Sequence, residues 1–547
     1  MFLTFIIPNA AQGCKQKCFF YFYRKKIMID FKDKYNDQIF GILHGFDRMI
    51  IKGFVGHFYY GNNFYHFLNK EEVRLKDFKS YALKNNKLIK EHIENIITSS
   101  GCHKEYLNSP HVSKEGVAKR VQKENGVDEG LICILSCVEP CTTLSVEYNS
   151  SSKKLEKAKQ FRKCLHYYLY YEDKDFGFMH IRFQTWFPFG IQIYINGKEY
   201  LKKQLRKEGI DYKCYDNSIT WVSNIERAQQ ISDRFYKKKW GKVFDNFAES
   251  VNGYLPRIKE IFGGNGYRWM IEQSEYASDV LFKDVNTLQK YFPYFLEYAS
   301  LCQMGSNIYT FFGRKLHGLC QGETVSDKKY FWNQGFRVKF TLDKNSLKMY
   351  DKTSVLRVET TINNSNAFKI RNPNKSAKKK WVPMGKSISN MYRYAEVGKA
   401  CNLRYLNSLT SVDRDNGLDK KIEKLCNSVE TKLSLKSDSK PRRYSGFNLL
   451  SEFSCNVFNA ILNGAFKIRG FSNKNLRLIL LEQKVFILKY PSNIKKMSGQ
   501  VTRLIAKLRA HKLISKLPNT CKYRVTKTGE EVLARVLLFK KLDLKFC

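Results

Sequence analysis

Apolar and polar residues alternate over long stretches in the middle of this chain, and this pattern constrains the fold more than any other feature. The alternation is clearest in RKCLHYYLYYED (162–173) and FGFMHIRFQTWFPFGIQIYING (176–197), and it returns in three shorter runs between residues 335 and 363. A period of two residues is typical of β-strands, because successive side chains point to opposite faces of a sheet. These runs therefore predict strands, and the first two runs are predicted to belong to one sheet.

Helical spacing of apolar residues occurs on both sides of these strands. It is present in FKSYALKNNKLIKEHIENIITSSG (78–101) and over residues 225–255, where one long helical stretch is predicted. The alternating run IFGILHGFDRMIIKGFVGHFYYG (39–61) is predicted to form a hairpin that turns at Gly45 or Gly53. The predicted fold class is α+β, with helices around a mixed or antiparallel sheet and a separate C-terminal domain.

Composition divides the chain into four parts. Residues 1–27 precede a second methionine, Met28, and are predicted to be an extension outside the fold. Residues 28–426 form the predicted α+β body, which is long enough for two subdomains. Residues 427–446 are rich in serine and lysine and contain a proline, so they are predicted to form a linker. Residues 447–547 form the predicted C-terminal domain.

Positive charge dominates the chain, because 95 lysines and arginines stand against 51 acidic residues, a formal net charge of +44. A compact body with this charge repels itself unless an anion neutralises it, and nucleic-acid phosphates can do so. Biased coding would explain the many lysines but not the shortage of acids. DNA is the expected partner, and RNA and an anionic membrane surface are alternatives. No apolar run reaches the roughly 20 residues that span a bilayer, so no membrane-spanning segment is expected. The oligomeric state stays open.

The fifteen cysteines have no spacing that indicates a disulfide framework or a zinc site. Cys133, Cys137 and Cys141 form the tightest group, in CILSCVEPC. On a strand, a spacing of four residues places all three on one face, but too far apart for one metal ion unless the strand bends. Buried reduced thiols are the preferred interpretation, and they indicate a cytoplasmic protein.

The last hundred residues have the pattern of three helices, a hairpin and a final helix. SGQVTRLIAKLRAHKLI (498–514) has apolar residues at helical spacing, with a predicted N-cap at Ser498. LISKLPNTCKYRVT (513–526) turns at Pro-Asn-Thr and predicts a two-stranded hairpin. The basic residues of this helix and hairpin are predicted to face outwards and bind nucleic acid. They are Arg503, Lys507, Arg509, Lys512, Lys516, Lys522 and Arg524.

The run LRAHKLISKLPNTCKYRVTKTGEEVL (508–533) resembles the recognition helix, wing and last helix of winged-helix proteins of the MarR type. The matching residues include Leu508, Leu513, Tyr523 and Gly529. The resemblance implies binding of duplex DNA, with the helix in the major groove and the wing on the neighbouring backbone. The alternative is a winged helix that makes protein contacts or dimerises.

Two segments of the body, residues 176–201 and 354–363, resemble a family of bacterial proteins that usually carry no functional name. This resemblance extends from about Gly41 to the end of the chain and implies one evolutionary unit that ends in a winged helix. It implies no catalytic residues. We expect a nucleic-acid-binding protein of a mobile element or plasmid, because a regulator seldom needs so large a basic body. A transcriptional regulator whose body senses a ligand or dimerises is an alternative.

Carboxylates inside apolar strands raise the alternative of an enzyme. Asp47, Glu139 and Glu359 lie in such segments, where an unpaired acid is costly. If they converged, they could bind Mg²⁺ or Mn²⁺ and cleave or transfer phosphodiesters, as in an RNase H-like nuclease or a transposase. The competing interpretation is local pairing, of Asp47 with Arg48 and of Glu359 with Arg357.

KMYDKTSVLRVETTI (348–362) resembles a stretch of some rolling-circle replication initiators of phages and plasmids. Such enzymes nick one strand with a tyrosine and place a metal with two histidines separated by one apolar residue. Here His180 is followed by Arg182 in the second position, and the nearest tyrosines are Tyr392 and Tyr394. The competing interpretation of the segment is a hairpin whose turn pairs Asp351 with Lys352.

Aromatic residues are also concentrated in the body, in HYYLYY (166–171) and FQTWFPF (183–189). On an open sheet, alternate rings could stack on unpaired bases, as in proteins that bind single strands. The alternative is packing in a core, which the same alternation would also produce.

Overall fold

The computed structural model describes residues 30–109, 111–301, 305–314, 323–331, 335–371, 381–410, 418–431, 441–449, 451–463, 466, 469–482, 494–518 and 520–543. The predicted N-terminal extension, residues 1–27, lies outside the described residues.

Strands and helices are mixed along the chain, which confirms the α+β class. The described strands are β1 (Ile39–Val55), β2 (His103–Tyr106), β3 (Gly130–Asn149), β4 (Lys154–Asp173), β5 (Gly177–Gln184), β6 (Ile191–Asn196), β7 (Tyr212–Tyr215), β8 (Ser218–Val222), β9 (Tyr267–Phe282), β10 (Thr324–Phe331), β11 (Gly335–Leu342), β12 (Asn345–Lys352), β13 (Val355–Ile362), β14 (Lys369–Arg371), β15 (Trp381–Pro383), β16 (Val429–Thr431), β17 (Arg442–Tyr444), β18 (Ile514–Lys516) and β19 (Tyr523–Val525). The described α-helices are α1 (Phe31–Lys34), α2 (Asn63–Lys70), α3 (Phe78–Ser100), α4 (Lys114–Asn125), α5 (Gly197–Lys207), α6 (Ile225–Arg234), α7 (Trp240–Val251), α8 (Leu255–Ile261), α9 (Val285–Leu301), α10 (Gly305–Phe311), α11 (Met391–Leu409), α12 (Leu418–Cys426), α13 (Glu452–Ile461), α14 (Asn473–Glu482), α15 (Ile494–Ala510) and α16 (Lys527–Asp543).

Eleven of the described strands form one sheet, in the order β10-β11-β12-β13-β9-β1-β6-β5-β4-β3-β2. Neighbouring strands are antiparallel, except that β2 and β3 are parallel. The aromatic runs form the adjacent strands β4, β5 and β6, and the three shorter runs form β11, β12 and β13. The prediction that the two aromatic runs share one sheet is therefore confirmed, and the three shorter runs belong to the same sheet. Within the described ranges, no helix is both long enough and apolar enough to cross a bilayer.

One face of the sheet is apolar and packs on the main core. Met49, Ile51, Ile193 and Ile181 on β1, β6 and β5 are fully buried there, together with side chains of α3, α7 and α11. Alternate residues point the other way, because side chains on a strand alternate between faces. We call the opposite side the polar face.

The polar face is defined by residues that stand directly opposite one another on neighbouring strands. Tyr194 of β6 pairs with His180 of β5, and Lys348 of β12 pairs with Glu359 of β13. Helices cover parts of this face. Side chains of α5 and α6 pack there on apolar residues such as Leu43, and side chains of α4 pack on β3 and β4. Charged groups in the sheet therefore lie between two small apolar clusters.

β1 runs unbroken from Ile39 to Val55, so the predicted hairpin at Gly45 or Gly53 is wrong. Both glycines instead permit a close approach. A Cβ atom on Gly45 would lie 2.4 Å from Oγ of Ser232 on α6, and one on Gly53 would lie 2.4 Å from the ring of Trp269. Glycine within an alternating run predicted a turn. In the structure, Gly45 instead makes room for α6, and Gly53 makes room for the ring of Trp269.

The stretch 225–255 is also not one helix. After α6 the chain continues as a short 3-10 helix over Phe235–Lys237, and Lys238 then has an extended backbone (φ −63°, ψ 152°) before α7 begins. Across this break, the ring centroids of Trp240 and Phe235 lie 4.7 Å apart. The indole Nε1 of Trp240 donates a hydrogen bond to the Phe235 carbonyl oxygen (2.8 Å). The break in the helix therefore accompanies burial of both rings.

A second core lies in the C-terminal part of the chain. Leu425 of α12 packs in this core with residues of α13 to α16, and β16 pairs with β17. The two ends of the predicted linker, residues 427–446, are therefore part of this unit, although residues 432–440 lie outside the described ranges. Helices α13, α14 and α15, the β18–β19 hairpin and α16 follow in the predicted order.

The structure confirms one prediction for this C-terminal unit and corrects another. The predicted apolar stripe of α15, which includes Val501, Leu504 and Leu508, is buried. Helix α15 begins four residues before Ser498, so this residue is not its N-cap. Phe471 forms a β-bridge with Tyr523, which adds a short third segment to the hairpin. The unit contacts the body through an ion pair between Arg535 and Glu297 (3.2 Å).

Replacing Gly45 by alanine is expected to destabilise the protein by about 1–3 kcal/mol. The new Cβ would overlap Ser232 Oγ and break the hydrogen bond that this hydroxyl donates to the His44 carbonyl oxygen (2.8 Å). The matched control is Gly241→Ala in α7, where a Cβ meets no atom within 4 Å. The control should be neutral or stabilising by up to about 1 kcal/mol. Urea unfolding measures both, and a Gly45→Ala variant as stable as wild type would contradict this packing.

Candidate functional site

A buried charge network lies at a β-bulge in the middle of the sheet. The register of β1 with β9 shifts between Phe46 and Met49, so the two residues between them have no partner on β9. These residues are Asp47 and Arg48. The bulge lets both side chains reach charged groups on neighbouring strands, although they are adjacent in sequence.

Arg357 of β13 is the centre of this network and is fully buried. Its Nη1 donates to Asp47 Oδ2 (2.8 Å). Its Nε and Nη2 donate to the two carboxylate oxygens of Asp279 on β9, at 2.6 and 3.0 Å. Such a two-pronged contact fits the planar guanidinium to a carboxylate and fixes both side chains.

The last residue of β6 and the β7–β8 turn complete the polar contacts of the two aspartates. Asn196 Nδ2 and Asn217 Nδ2 donate to Asp47 at 3.0 and 2.8 Å. Asn196 also caps α5 by accepting from the backbone N–H of Lys198, whose buried Nζ donates to Asp279 Oδ2 (2.7 Å). The helix cap thus positions a second cation against Asp279.

A second set of ion pairs adjoins the first on the polar face. Arg48 binds both oxygens of Glu275 (2.7 and 3.1 Å), and its side chain is half exposed. Lys348 Nζ lies 2.8 Å from Glu359 and 3.4 Å from Glu275, so it bridges the two glutamates. The Tyr350 hydroxyl also donates to Glu359 (2.9 Å).

Burial and ion pairing shift the pKa values in opposite directions. Burial would raise the pKa of Asp279, but attraction to Arg357 and Lys198 overcomes this and lowers it to about 2. Burial keeps the pKa of Asp47 raised in spite of Arg357, and the charge of Glu359 raises it further. Asp47 and Glu359 thus act on each other electrostatically.

The network is balanced in charge. Its four carboxylates belong to Asp47, Asp279, Glu275 and Glu359, and its four cations to Arg48, Arg357, Lys198 and Lys348. Each carboxylate contacts a cation at 2.6–2.8 Å. A Mg²⁺ or Mn²⁺ ion would have to displace a cation from a buried pair, which is costly. The arrangement therefore fixes strands rather than offering free ligands.

Glu139 does not join this network, so the three predicted carboxylates do not converge. It lies on β3, four strands from β1, which is about 19 Å at the usual strand spacing. Its carboxylate binds Lys114 (3.0 Å) and Arg182 (2.8 Å) and accepts from the Tyr168 hydroxyl (2.6 Å). One metal centre cannot be shared by Glu139 and Asp47.

The two tyrosines and the histidine suggested by the replication-initiator resemblance make packing contacts within the body. Tyr394 is buried, and burial raises the pKa of its phenol to about 12. Tyr392 is partly exposed beneath the guanidinium of Arg393. His180 stacks on Tyr194 (ring centroids 5.1 Å apart), and burial lowers its pKa to about 4.

The expected contact between Asp351 and Lys352, at the end of β12, is also absent from the described contacts. Lys352 binds Asp216 and Asn217 of the β7–β8 turn, so the expected pairing of Asp351 with Lys352 is wrong. The lysine therefore joins β12 to a hairpin that lies far away in the sequence.

The aromatic runs of the body are packed rather than displayed. Tyr168, Tyr170, Phe183 and Phe187 are all at most 7 % exposed. They cannot stack on unpaired bases without leaving the core, so the packing interpretation is correct for these side chains.

One predicted nucleic-acid contact, Lys507, is covered by another part of the chain. Its Nζ donates to the Gly446 carbonyl oxygen (2.8 Å) and lies 4.2 Å from the ring centre of Phe447. Burial lowers its pKa. Lys507 therefore holds residues 446–447 against α15, which corrects its prediction as an outward-facing residue.

The other predicted basic residues of the C-terminal unit lie on its surface. Arg503, Lys512, Lys516, Lys522 and Arg524 are exposed. Arg509 is half-buried above the ring of Tyr523 and lines a cleft of about 370 Å³ between α15, the start of α14 and the hairpin. Ser472, Lys474 and Thr502 line the same cleft. A basic and polar surface thus extends from α15 to the hairpin.

No family model, curated protein or solved structure matches the chain. The resemblances drawn from the sequence therefore remain hypotheses that rest on its own residues.

Sequence reasoning missed half of the buried network, namely Asp279, Glu275, Lys198 and Lys348. A signal for two of them is present in IEQSEYASDVLF (271–282), where Glu275 and Asp279 are spaced for one face of a strand. The pairing partners lie on other strands, which a single-strand pattern does not reveal.

Replacing Arg357 by methionine is expected to destabilise the protein by about 3–5 kcal/mol, because Asp47 and Asp279 lose a buried partner. The control is Arg234→Met, which removes a surface pair with Glu208 (2.6 Å) and should cost at most about 1 kcal/mol. Denaturant unfolding gives both values. Similar small losses in the two variants would show that the network contributes little.

The contacts of Glu139 with Lys114, Arg182 and Tyr168 predict that the free energy of unfolding depends on pH. Burial alone would raise the pKa of Glu139, but hydrogen bonds from Tyr168 and Lys114 and the charge of Arg182 lower it to about 2. A carboxyl group with a lowered pKa stabilises the fold above its unfolded value of about 4.3, and this is lost as pH falls towards the folded value. Wild type should therefore lose more stability than Glu139→Gln over that range. Parallel curves of unfolding free energy against pH would contradict this.

Proposed function

We propose that this protein binds nucleic acid, with duplex DNA as its main ligand, through the outer surface of α15 and the β18–β19 hairpin. The observation that carries the proposal is a set of unmatched charges. Lys512, Lys516 and Lys522 are exposed, and none of them forms an ion pair within the described part of the chain. Phosphate groups supply the missing negative charge and release condensed counterions as they bind.

The composition of the C-terminal unit supports this proposal. Residues 447–547 contain twenty lysines and arginines but five acidic residues. A protein-binding surface tends to lose lysine from its centre, whereas a nucleic-acid surface gains it. The imbalance therefore favours DNA or RNA over a protein partner for this unit.

The shape of α15 also supports a duplex ligand. Its buried stripe leaves Gly499, Thr502, Arg503 and Ala506 on the opposite side, as the helical period of 3.6 residues requires. Small residues beside one arginine allow a helix to approach base edges closely, and the major groove accommodates an α-helix. The hairpin lies beside this helix and would reach the sugar-phosphate backbone, as the resemblance to winged-helix proteins implies.

A plasmid or mobile-element protein is the class that we infer, because the body is large and itself strongly basic. A metal-dependent nuclease or transposase has less support, since Asp47 and Glu359 are held by cations and Glu139 lies apart.

The direct test removes three exposed charges from the proposed surface, in the variant Arg503→Ala/Lys516→Ala/Lys522→Ala. Lys512 is left in place so that the variant keeps the native residue at a left-handed backbone position (φ +58°) that residues other than glycine rarely adopt. Fluorescence anisotropy with a labelled DNA duplex should show weaker binding. The slope of log affinity against log salt should fall by about 0.9 for each phosphate that the variant no longer neutralises.

The matched control removes the same charge from a distant helix, in Lys79→Ala/Lys84→Ala/Lys90→Ala, whose lysines are exposed on α3. Its affinity and salt slope should stay close to wild type. Equal losses in both variants would mean that total charge, not this surface, governs binding. A duplex RNA of the same length, bound more tightly than DNA, would reverse the assigned ligand.

A further inference from the structure

Two cysteines and a histidine meet where the β3–β4 ribbon leaves the sheet. Cys141 lies on β3, and Cys164 and His166 lie two residues apart on β4. Strand β5 pairs with β4 only from His166 onwards, so the ribbon extends past the edge of β5. Cys164 pairs with Glu139, and His166 pairs with Cys137, which places all three side chains on the polar face.

The three possible ligand atoms are close together. Cys141 Sγ lies 3.0 Å from Cys164 Sγ, and Cys164 Sγ lies 3.9 Å from His166 Nδ1. The two sulfur atoms and one ring nitrogen of His166 all lie within 4.8 Å of one another. Cys141 and His166 are buried, at 8 % and 1 % exposure, whereas Cys164 is only half-buried. The geometry is that of a small polar site with access from outside.

The histidine ring is incompletely satisfied by the protein. His166 Nδ1 lies 3.1 Å from the Cys164 carbonyl oxygen, but Nε2 is buried and has no hydrogen-bond partner within the described residues. A buried nitrogen without a partner costs free energy comparable to a lost hydrogen bond. A histidine that binds a metal through one nitrogen commonly donates its other N–H to a backbone carbonyl. Here Nδ1–H would donate to the Cys164 carbonyl oxygen, and Nε2 would be the nitrogen that binds the ion.

A disulfide is a poorer fit to the strand register. Cys141 stands directly opposite Arg162, so Cys164 is its diagonal neighbour. Diagonal neighbours on antiparallel strands have Cα atoms about 7–8 Å apart. Disulfides usually join Cα atoms less than about 7 Å apart, so a diagonal pair fits one less well than a directly opposite pair.

We propose that Cys141, Cys164 and His166 bind a transition metal ion, with Zn²⁺ as the first candidate, and that the ion joins the two strands at the base of the β3–β4 ribbon. Thiolate and imidazole are the ligands that zinc prefers, whereas Mg²⁺ and Ca²⁺ prefer oxygen. With Zn–S bonds of about 2.3 Å, tetrahedral geometry needs sulfur atoms about 3.8 Å apart. The two thiols would separate by about 0.8 Å, which side-chain rotation can supply.

Binding needs no redox step. The two thiols release their protons to solvent as the thiolates coordinate the ion, and the neutral imidazole donates a nitrogen lone pair. Three protein ligands leave a fourth position for water or another donor on the exposed side of Cys164.

The test uses the full-length chain, prepared without a metal-binding tag and stripped with a chelator under reducing conditions. Added Zn²⁺ should be retained at one equivalent per chain after desalting, measured by mass spectrometry of the elements. Co²⁺ should give thiolate-to-cobalt charge-transfer absorption and the intense visible bands of tetrahedral cobalt, which Zn²⁺ then abolishes. Cys141→Ser, Cys164→Ser and His166→Gln should each weaken Co²⁺ binding by at least about tenfold.

The matched control is Cys133→Ser, which removes another buried cysteine of β3 and should leave the cobalt spectrum unchanged. If the ligand variants do not fold, iodoacetamide labelling of wild type replaces them. Zn²⁺ should then protect Cys164 but not the exposed Cys214. No cobalt spectrum at equimolar metal, or labelling of Cys164 that Zn²⁺ does not change, would overturn the proposal. A Cys141–Cys164 disulfide in protein kept under reductant would also overturn it.

Discussion

Arg357 places a full positive charge where no water reaches it, and the centre of the sheet is arranged around that charge. Asp47 on β1 and Asp279 on β9 neutralise it from two neighbouring strands. Lys198 then balances the second aspartate from α5. A charge removed from water is tolerated only when its partners are close and well oriented, so these elements are tied to one geometry.

This electrostatic arrangement also specifies the register of the strands. Arg357 and Glu359 lie on the same face of β13, and the buried Val358 between them packs into the main core. A slip of one residue would turn both charged side chains into the apolar core and bring Val358 out. If only apolar residues set the register, such a slip would cost the free energy of the lost apolar burial. The buried charges add the much larger cost of unpaired ions in a water-free interior.

The sequence allowed the strands to be predicted, but not the partners across them. Alternation showed that β4, β5, β6 and β11 to β13 are strands, because burial on one face leaves a period of two. It did not show that β1 is a single strand, because a glycine in an alternating run can either form a turn or make room for a neighbouring side chain. Gly45 makes room for Ser232. Local proximity suggested that Asp47 pairs with Arg48. The bulge instead sends Arg48 to Glu275, a contact between residues more than two hundred positions apart.

The same limit applies to the candidate sites. The order of elements and the apolar stripe of α15 were predictable, because both follow from local periodicity. The covering of Lys507 by residues 446–447 was not, because it depends on how a distant segment folds back. Cys164 and His166 have the spacing of one strand face, which is a usable signal. Their meeting with Cys141 requires the register of the β3–β4 hairpin, which the turn between Asn149 and Lys154 sets.

Charge is handled differently inside the body and on the C-terminal unit, and this contrast leads to the proposed function. In the body, the buried acids Asp47, Asp279 and Glu359 are each matched by a cation at close range. On the hairpin, Lys516 and Lys522 face solvent without such partners in the described chain. Ion pairing stabilises a fold mainly where water is excluded, so unmatched surface charge does not stabilise the fold. It raises affinity for a polyanion, and a basic surface carried on a rigid helix and hairpin would present that charge in a fixed pattern.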